Sequence, residues 1–227
     1  MMQITAIIPV KHFSHAKQRL ADLLTATERH HLASAMLDDA LTLVKAAPVI
    51  ADIAIVSSDL DVARVAERHG LRNLSDRATG LNEAVDLAAH QLLHEHVERI
   101  VVLPTDIPLA KADDLGALVA SHLDFDDNIT IAMAQKDFGT NCMVMSPPAS
   151  MPVCFGSLSG LRHVENAKKC GLKAHAMCVP GFALDIDESE DVAQYMKRAS
   201  AGATWKCLME IKVLERIAER KSAGSFK

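Results

Sequence analysis

Aromatic residues are scarce in this chain. Its 227 residues include one Trp and one Tyr, and aromatics make up only 4% of the sequence. A surface that stacks single-stranded nucleic acid needs several such rings, so that class of function is disfavoured. A basic excess is missing too: 24 Lys and Arg face 29 Asp and Glu, for a net charge of −5. No global field draws in nucleic acid or an anionic membrane, and an anionic ligand must be caught by a local group of cations. The five cysteines, Cys142, Cys154, Cys170, Cys178 and Cys207, are odd in number and form no CxxC pair. Neither a disulfide framework nor a zinc site is expected, and a cytoplasmic, reducing compartment fits best. No apolar run is long enough to span a membrane. The opening "MMQITAIIPVK" lacks a basic n-region and a small-residue cleavage site, so it reads as a first strand. No repeat, low-complexity segment or Pro/Gly-rich linker divides the chain. It reads as one domain over 1–227, with a helical extension from about 204.

What the chain does have is core: 49% of its residues are apolar. Short apolar runs alternate with helical periodicity. Strands are expected at Ile4 to Ile8, in "DIAIVSSD", in "LRNL", at Ile100 to Leu103, at Ile129 to Ala134, at Cys142 to Met145 and at Lys173 to Val179. Helices are expected after a Thr25-to-Glu28 capping box, after Asp59, from Leu81 to Leu92, and near 112–123, 159–170 and 188–199. Leu208, Ile211, Leu214 and Ala218 outline one last amphipathic helix, suited to cover the core or a partner subunit in a homodimer. The final "RKSAGSFK" is expected to be disordered. The βαβα order implies an α/β fold whose mixed sheet is mostly parallel and covered by helices on both faces.

In such sheets ligands bind beyond the carboxyl ends of the strands, so the residues that follow each strand matter most. Lys11, Lys17 and Arg19 follow the first strand and Ser58 the second. Gly80 and Asn82 precede the third long helix. Asp106 follows Ile100 to Leu103, fenced by Pro104 and Pro108, which stiffen its turn. "DFGTN" follows the fifth strand, and Asp185 and Asp187 lie in "LDID". Three cations could hold a polyphosphate, and three carboxylates could bind Mg2+, a hard ion that takes oxygen ligands. Each residue has a plainer reading. Asp106 reads equally well as a turn or cap aspartate, and Asp185 and Asp187 as caps of the helix containing Asp191. Any one of the cations reads better as part of a solvated face. His90 and His94 stand at i,i+4 but lack an HExxH pattern, and an exposed helical face explains them. Joint placement at successive strand ends is what favours a site.

"IPVK" with "AKQRL", then "VSSD", "GLNEA", "LPTDIPL", "FGTN", "FGSLSGLRH" and "LDIDESED", occur in order over about residues 4 to 195. Together they resemble the guanylyltransferases of coenzyme F420 biosynthesis, relatives of the molybdenum-cofactor guanylyltransferases. The resemblance implies a Rossmann-like nucleotidyltransferase fold. It also implies transfer of GMP from GTP to a small phosphorylated carboxylic acid, with release of pyrophosphate. That acid is 2-phospho-L-lactate, phosphoenolpyruvate or 3-phospho-D-glycerate, depending on the member. By motif, Asp106, Asp185 and Asp187 would hold the metal, with Asp106 and Lys17 catalytic. Lys11, Lys17, Arg19, Ser58, Gly80 and Asn82 would lie on the nucleotide side, and Thr140, Gly156 and Ser159 on the acid side. Ile107 replaces a usual Leu, and "DESED" lacks a proline often found after the acidic pair. The rivals are a nucleotidyltransferase for a sugar phosphate or molybdopterin, whose first loop is usually glycine-rich, and a non-catalytic nucleotide-binding module.

Overall fold

The structure is a computed structural model that describes residues 4–74, 78, 80–126 and 128–224. Its centre is a sheet of seven strands in the order β3-β2-β1-β4-β6-β5-β7. These are β1 (Ile4–Pro9), β2 (Ile50–Val56), β3 (Arg72–Leu74), β4 (Arg99–Val102), β5 (Ile129–Met133), β6 (Thr140–Met145) and β7 (Ala174–Met177). All six residues of β1 are buried, as a central strand covered on both faces requires. Successive side chains of a strand point to opposite faces. Ile4, Ala6 and Ile8 accordingly enter one apolar layer and Ile7 the other. The first layer is closed by α1 (Ala26–Ala46), α2 (Leu60–Arg68) and α4 (Ala112–Asp124), the second by α3 (Leu81–His94) and α5 (Ser159–Lys169).

Strands β3, β2, β1 and β4 run parallel, and β5 runs parallel to β7, while β6 is antiparallel to both β4 and β5. The reason is local. β5 ends at Met133 and β6 begins at Thr140, and so short a link makes a hairpin, since a parallel return needs a dozen or more residues. β6 fills the gap that α4 left between β4 and β5. Its reversal brings Thr140, its first residue, to the rim where β1, β4, β5 and β7 end.

The sequence-based helices stand where expected, and the Thr25–Glu28 capping box of α1 and the Asp59 cap of α2 are both present. The last strand is shorter than expected, Ala174–Met177. The C-terminal region corrects two expectations. In place of one helix there are two, α7 (Ala203–Glu210) and α8 (Val213–Gly224), separated at Lys212, whose φ is 53°. The break lets Leu208 on one helix and Val213 and Ile217 on the other enter a third apolar layer with Leu32, Met36 and Tyr195, while Leu214 faces out. Residues 220–224 of the expected disordered tail belong to α8. Arg216 grips Glu28 through its two terminal guanidinium nitrogens, at 2.7 and 3.0 Å, and Arg220 pairs with Asp22. Residues 225–227 lie outside the described residues. No helix among the described residues is long and apolar enough to cross a membrane.

Candidate active site

The segment after β1 winds through two short 3-10 turns, Phe13–His15 and Gln18–Leu20. Lys17 sits between them in the left-handed region, φ 50° and ψ 42°. A non-glycine residue there is uncommon and often marks a functional position. Asp59 anchors this segment from β2's side. One carboxylate oxygen accepts from the Phe13 N–H at 2.8 Å and the other caps α2 through the Asp61 N–H. The His12 ring meets the Ser58 hydroxyl at 3.0 Å. Ser58 thus ties the two loops together.

Lys17 reaches across the rim. Its ammonium donates to Asp106 Oδ2 at 2.8 Å and to Asp187 Oδ1 at 2.9 Å, and only 10% of its side chain is exposed. Burial alone would lower the lysine pKa, but the two carboxylates outweigh it and raise the value above the ordinary one. Asp187 shows the converse: burial pushes its carboxyl up, Lys17 pulls harder, and the net is a lowered pKa, with Arg19 and Lys11 adding to the pull. Asp185 has no such cation among the described residues. Burial first, then the charges of Asp106 and Asp187, push it up to about 6. Asn141, buried in β6, hydrogen-bonds Asp185 and donates to the Phe182 carbonyl at 2.8 Å. A backbone bond from Ile186 N–H to the Asp106 carbonyl, 2.9 Å, clips the two acidic segments together.

Asp185 and Asp187 do not cap the next helix, α6 (Ser189–Arg198). The relation is reversed. Asp191 is 1% exposed, and its Oδ2 accepts from the N–H groups of Glu188 at 2.8 Å and Asp187 at 3.1 Å. Lys136 clamps both Asp191 and Glu188, at 3.1 and 2.8 Å. The reach-back from Asp191 supplies the cap where the expected proline is missing.

A cavity of about 380 Å³ opens above this centre, and Lys11, Lys17, Arg19, Leu81, Asp106 and Asp187 are among its lining residues. Arg19 stays 70% exposed, 3.6 Å from Glu188 and 3.9 Å from Asp187. The structure therefore brings together all three expected cations and two of the three expected metal aspartates. Asp185 lies just outside the lining, and no group of three or more His, Cys, Asp or Glu among the described residues is gathered as a ready ligand set. Lys17 stands between two of the carboxylates that were expected to share a metal.

The other expected residues divide differently. Gly80 caps α3 with extended backbone (φ −175°) and open space where a Cβ would stand, so its conformation does not require glycine. Asn82 spends its amide on the backbone of Phe155: its Oδ1 accepts from Phe155 N–H at 2.7 Å, and its Nδ2 reaches the carbonyl at 3.4 Å. It was expected on the nucleotide side, yet it holds the loop that carries Gly156. Thr140, Gly156 and Ser159 form a second group, away from the cavity wall. Gly156 has φ 127°, a conformation that disfavours any side chain. The Thr140 N–H donates to Ser159 Oγ at 2.8 Å, and Thr140 Oγ1 lies 2.8 Å from His163 Nδ1. Asn141, Lys136, His163 and Asp191 were not singled out as site residues. All but Lys136 lie inside the quoted motifs, but their partners are distant in sequence or in another motif.

Comparison with known proteins gives this arrangement a family. The sequence profile described as "Guanylyl transferase CofC like" matches residues 4–226. The phosphoenolpyruvate guanylyltransferase of Sphaerobacter thermophilus is 34% identical over 203 residues, covering 89% of this chain and 97% of that protein. The 2-phospho-L-lactate guanylyltransferase of Methanobrevibacter ruminantium is 30% identical over 219 residues, covering 92% and 91%. Among solved structures, a candidate nucleotide-diphospho-sugar transferase from Desulfovibrio desulfuricans superposes with a TM-score of 0.78 at 17% identity, covering 95% of this chain and 98% of the other. A 4-diphosphocytidyl-2C-methyl-D-erythritol synthase gives 0.62 at 10% identity, covering 86% and 96%, a likeness of fold alone. The chain belongs to the CofC-like guanylyl transferase family and is a guanylyltransferase built on the Rossmann-like nucleotidyltransferase fold.

Proposed function

We propose that this enzyme transfers GMP from GTP to a small phosphorylated three-carbon acid in coenzyme F420 biosynthesis, releasing pyrophosphate. Phosphoenolpyruvate and 2-phospho-L-lactate are named for its relatives, and 3-phospho-D-glycerate is the third candidate. The observation that carries the reading is Lys17, held between Asp106 and Asp187 at the base of a cavity that Lys11 and Arg19 also line. Cations and carboxylates in one cleft suit a substrate that brings both phosphates and a divalent ion.

In this reading an oxygen of the acid's phosphate attacks the α-phosphorus of GTP. A new P–O–P linkage forms, and the bond to the β-phosphate breaks to release pyrophosphate. The phosphate is already ionised at neutral pH, so no protein base or nucleophile is required, and positioning with charge neutralisation carries the catalysis. Lys11, Lys17 and Arg19 balance the triphosphate; Arg19 presents a fork and the lysines point charges. Asp106, Asp185 and Asp187 supply oxygen donors of the kind Mg2+ takes, and the pKa of Asp185 is raised first by burial and then by the charges of Asp106 and Asp187, a crowding that such an ion relieves. Bound there, Mg2+ would offset charge building on the phosphates. Ser58 and Gly80 shape the loops around the nucleotide side, and Asn82 holds the Phe155 backbone beside the acid side. Thr140, Gly156 and Ser159 form the acid side.

The test is pyrophosphate release from GTP, ATP, CTP and UTP in parallel, each with each of the three acids and with no acid. GTP alone should support release, and only when one of the acids is present. Release without any acid, or equal use of CTP, would overturn the reading.

A further inference from the structure

His163 is fully buried in α5, with Thr140 and Ser159 at 5% and 1% exposure beside it. Its two ring nitrogens have different partners. The Cys154 backbone N–H points at Nε2 across 2.7 Å, and Thr140 Oγ1 lies 2.8 Å from Nδ1. A backbone N–H can only donate, so Nε2 must be the unprotonated nitrogen. The proton of the neutral ring is therefore on Nδ1, and it is donated to Thr140 Oγ1. The opposite tautomer would set two N–H groups against each other at 2.7 Å. An imidazolium would do the same, and burial, with Arg162 nearby, depresses the ring's pKa to about 4.

The consequence falls on the hydroxyls. Thr140 Oγ1 accepts from His163, and Ser159 Oγ accepts from the Thr140 N–H at 2.8 Å. Each hydroxyl still has one proton to give, and neither meets an acceptor among the described residues. A buried donor without an acceptor is costly, so two of them call for an accepting oxygen, and an anionic one accepts most strongly. The support behind the ring is firm. Phe155 packs edge-on against it with ring centroids 5.1 Å apart, and Asn82 holds the Phe155 backbone from both sides.

We propose that His163 is a positioning residue that fixes the Thr140 hydroxyl as a donor, so that Thr140 and Ser159 present two hydroxyl protons to an anionic oxygen of the acid substrate. This rests on the acid-side reading of Thr140 and Ser159. It adds that the group received carries unprotonated oxygens, a carboxylate or phosphate, which take both hydroxyl protons more strongly than a neutral alcohol does.

The experiment is a double-mutant cycle in the full chain. His163→Gln can accept at the Nε2 position but has nothing to donate at Nδ1, whereas His163→Asn keeps an N–H near Nδ1. His163→Gln should raise the KM for the acid about ten- to a hundredfold, the usual effect of losing a hydrogen bond to a charged group, while kcat and the KM for GTP stay within about twofold. His163→Asn should restore most of the loss. In a Thr140→Val background, His163→Gln should add nothing, since it acts through that hydroxyl. A normal acid KM in His163→Gln, or equal effects in both backgrounds, would overturn the proposal. A normal acid KM in Thr140→Val would overturn it together with the acid-side reading, while leaving GMP transfer itself intact. Should the variants not fold, 15N NMR of the wild-type ring at neutral pH decides: the Nδ1–H tautomer supports the proposal, and the Nε2–H tautomer or a doubly protonated ring overturns it.

Discussion

Asp106 carries the largest expected effect of any single side chain. Asp106→Asn keeps the shape, removes one negative charge and leaves Lys17 with Asp187. Turnover should fall by roughly two orders of magnitude or more, the scale of losing one preorganised electrostatic group. The melting temperature should change little, because the carboxylate stands on the rim and is 28% exposed on its side chain. Steady-state rates alongside thermal melts check both halves. Lys17→Ala should act differently. It leaves Asp106 and Asp187 facing each other without their shared cation, so GTP should bind more weakly and the remaining affinity should depend less on salt. Titration of GTP at two ionic strengths checks this, and unchanged affinity would return Lys17 to a purely structural role. The residue types at these positions were readable from the sequence, since cations and carboxylates follow successive strands. Their pairing was not. Lys17 meets partners 89 and 170 positions away, and no local spacing announces such contacts. Asn82 illustrates the same limit: its motif was visible, but its partner Phe155 lies 73 residues on.

Helix ends were legible wherever the signal is local. The Thr25–Glu28 box repeats at i,i+3, and both of its bonds form. The C-terminal pair was not legible, because Leu208, Ile211, Leu214 and Ala218 keep a helical period across a point where the chain turns at Lys212. Tertiary contacts decide there. Asp39 of α1 accepts from the Ala203 and Thr204 N–H groups, at 2.7 and 2.8 Å, and so caps α7 from another helix. Asp39→Ala should cost about 0.5–2 kcal/mol, as for other lost caps, and urea unfolding would measure it. Glu28 links two elements at once, since it closes the α1 box and receives Arg216 of α8. Arg216 first, then the Thr25 N–H and hydroxyl, draw the Glu28 carboxyl from the usual 4.5 down to about 2, against an opposing effect of burial. A carboxylate depressed on folding contributes stability that is complete above its unfolded value and is lost as pH falls toward the folded one. This share should therefore disappear between about pH 4.5 and 2. Arg216→Ala should flatten the fall in stability over that interval, and an unchanged slope would show that the pair is not what responds.

At the scale of the whole molecule, alternating apolar runs and helical periods imply a mostly parallel sheet covered on both faces, and the short link before Thr140 implies the antiparallel return. The order of strands was not readable, because burial is equally satisfied wherever a fully apolar strand is placed. That order matters for function. It stacks the ends of β1, β4 and β7 on one rim, where Lys17, Asp106 and Asp187 meet although they come from three distant parts of the chain. The central claim is that this rim joins GMP to a phosphorylated acid. The most direct test is 31P NMR of a single mixture of enzyme, Mg2+, GTP and each candidate acid. One of the three acids should lose its phosphomonoester signal, while paired diphosphate resonances and pyrophosphate grow in equal amounts. Pyrophosphate without a new acid-linked diphosphate, or no change with any of the three acids, would contradict it.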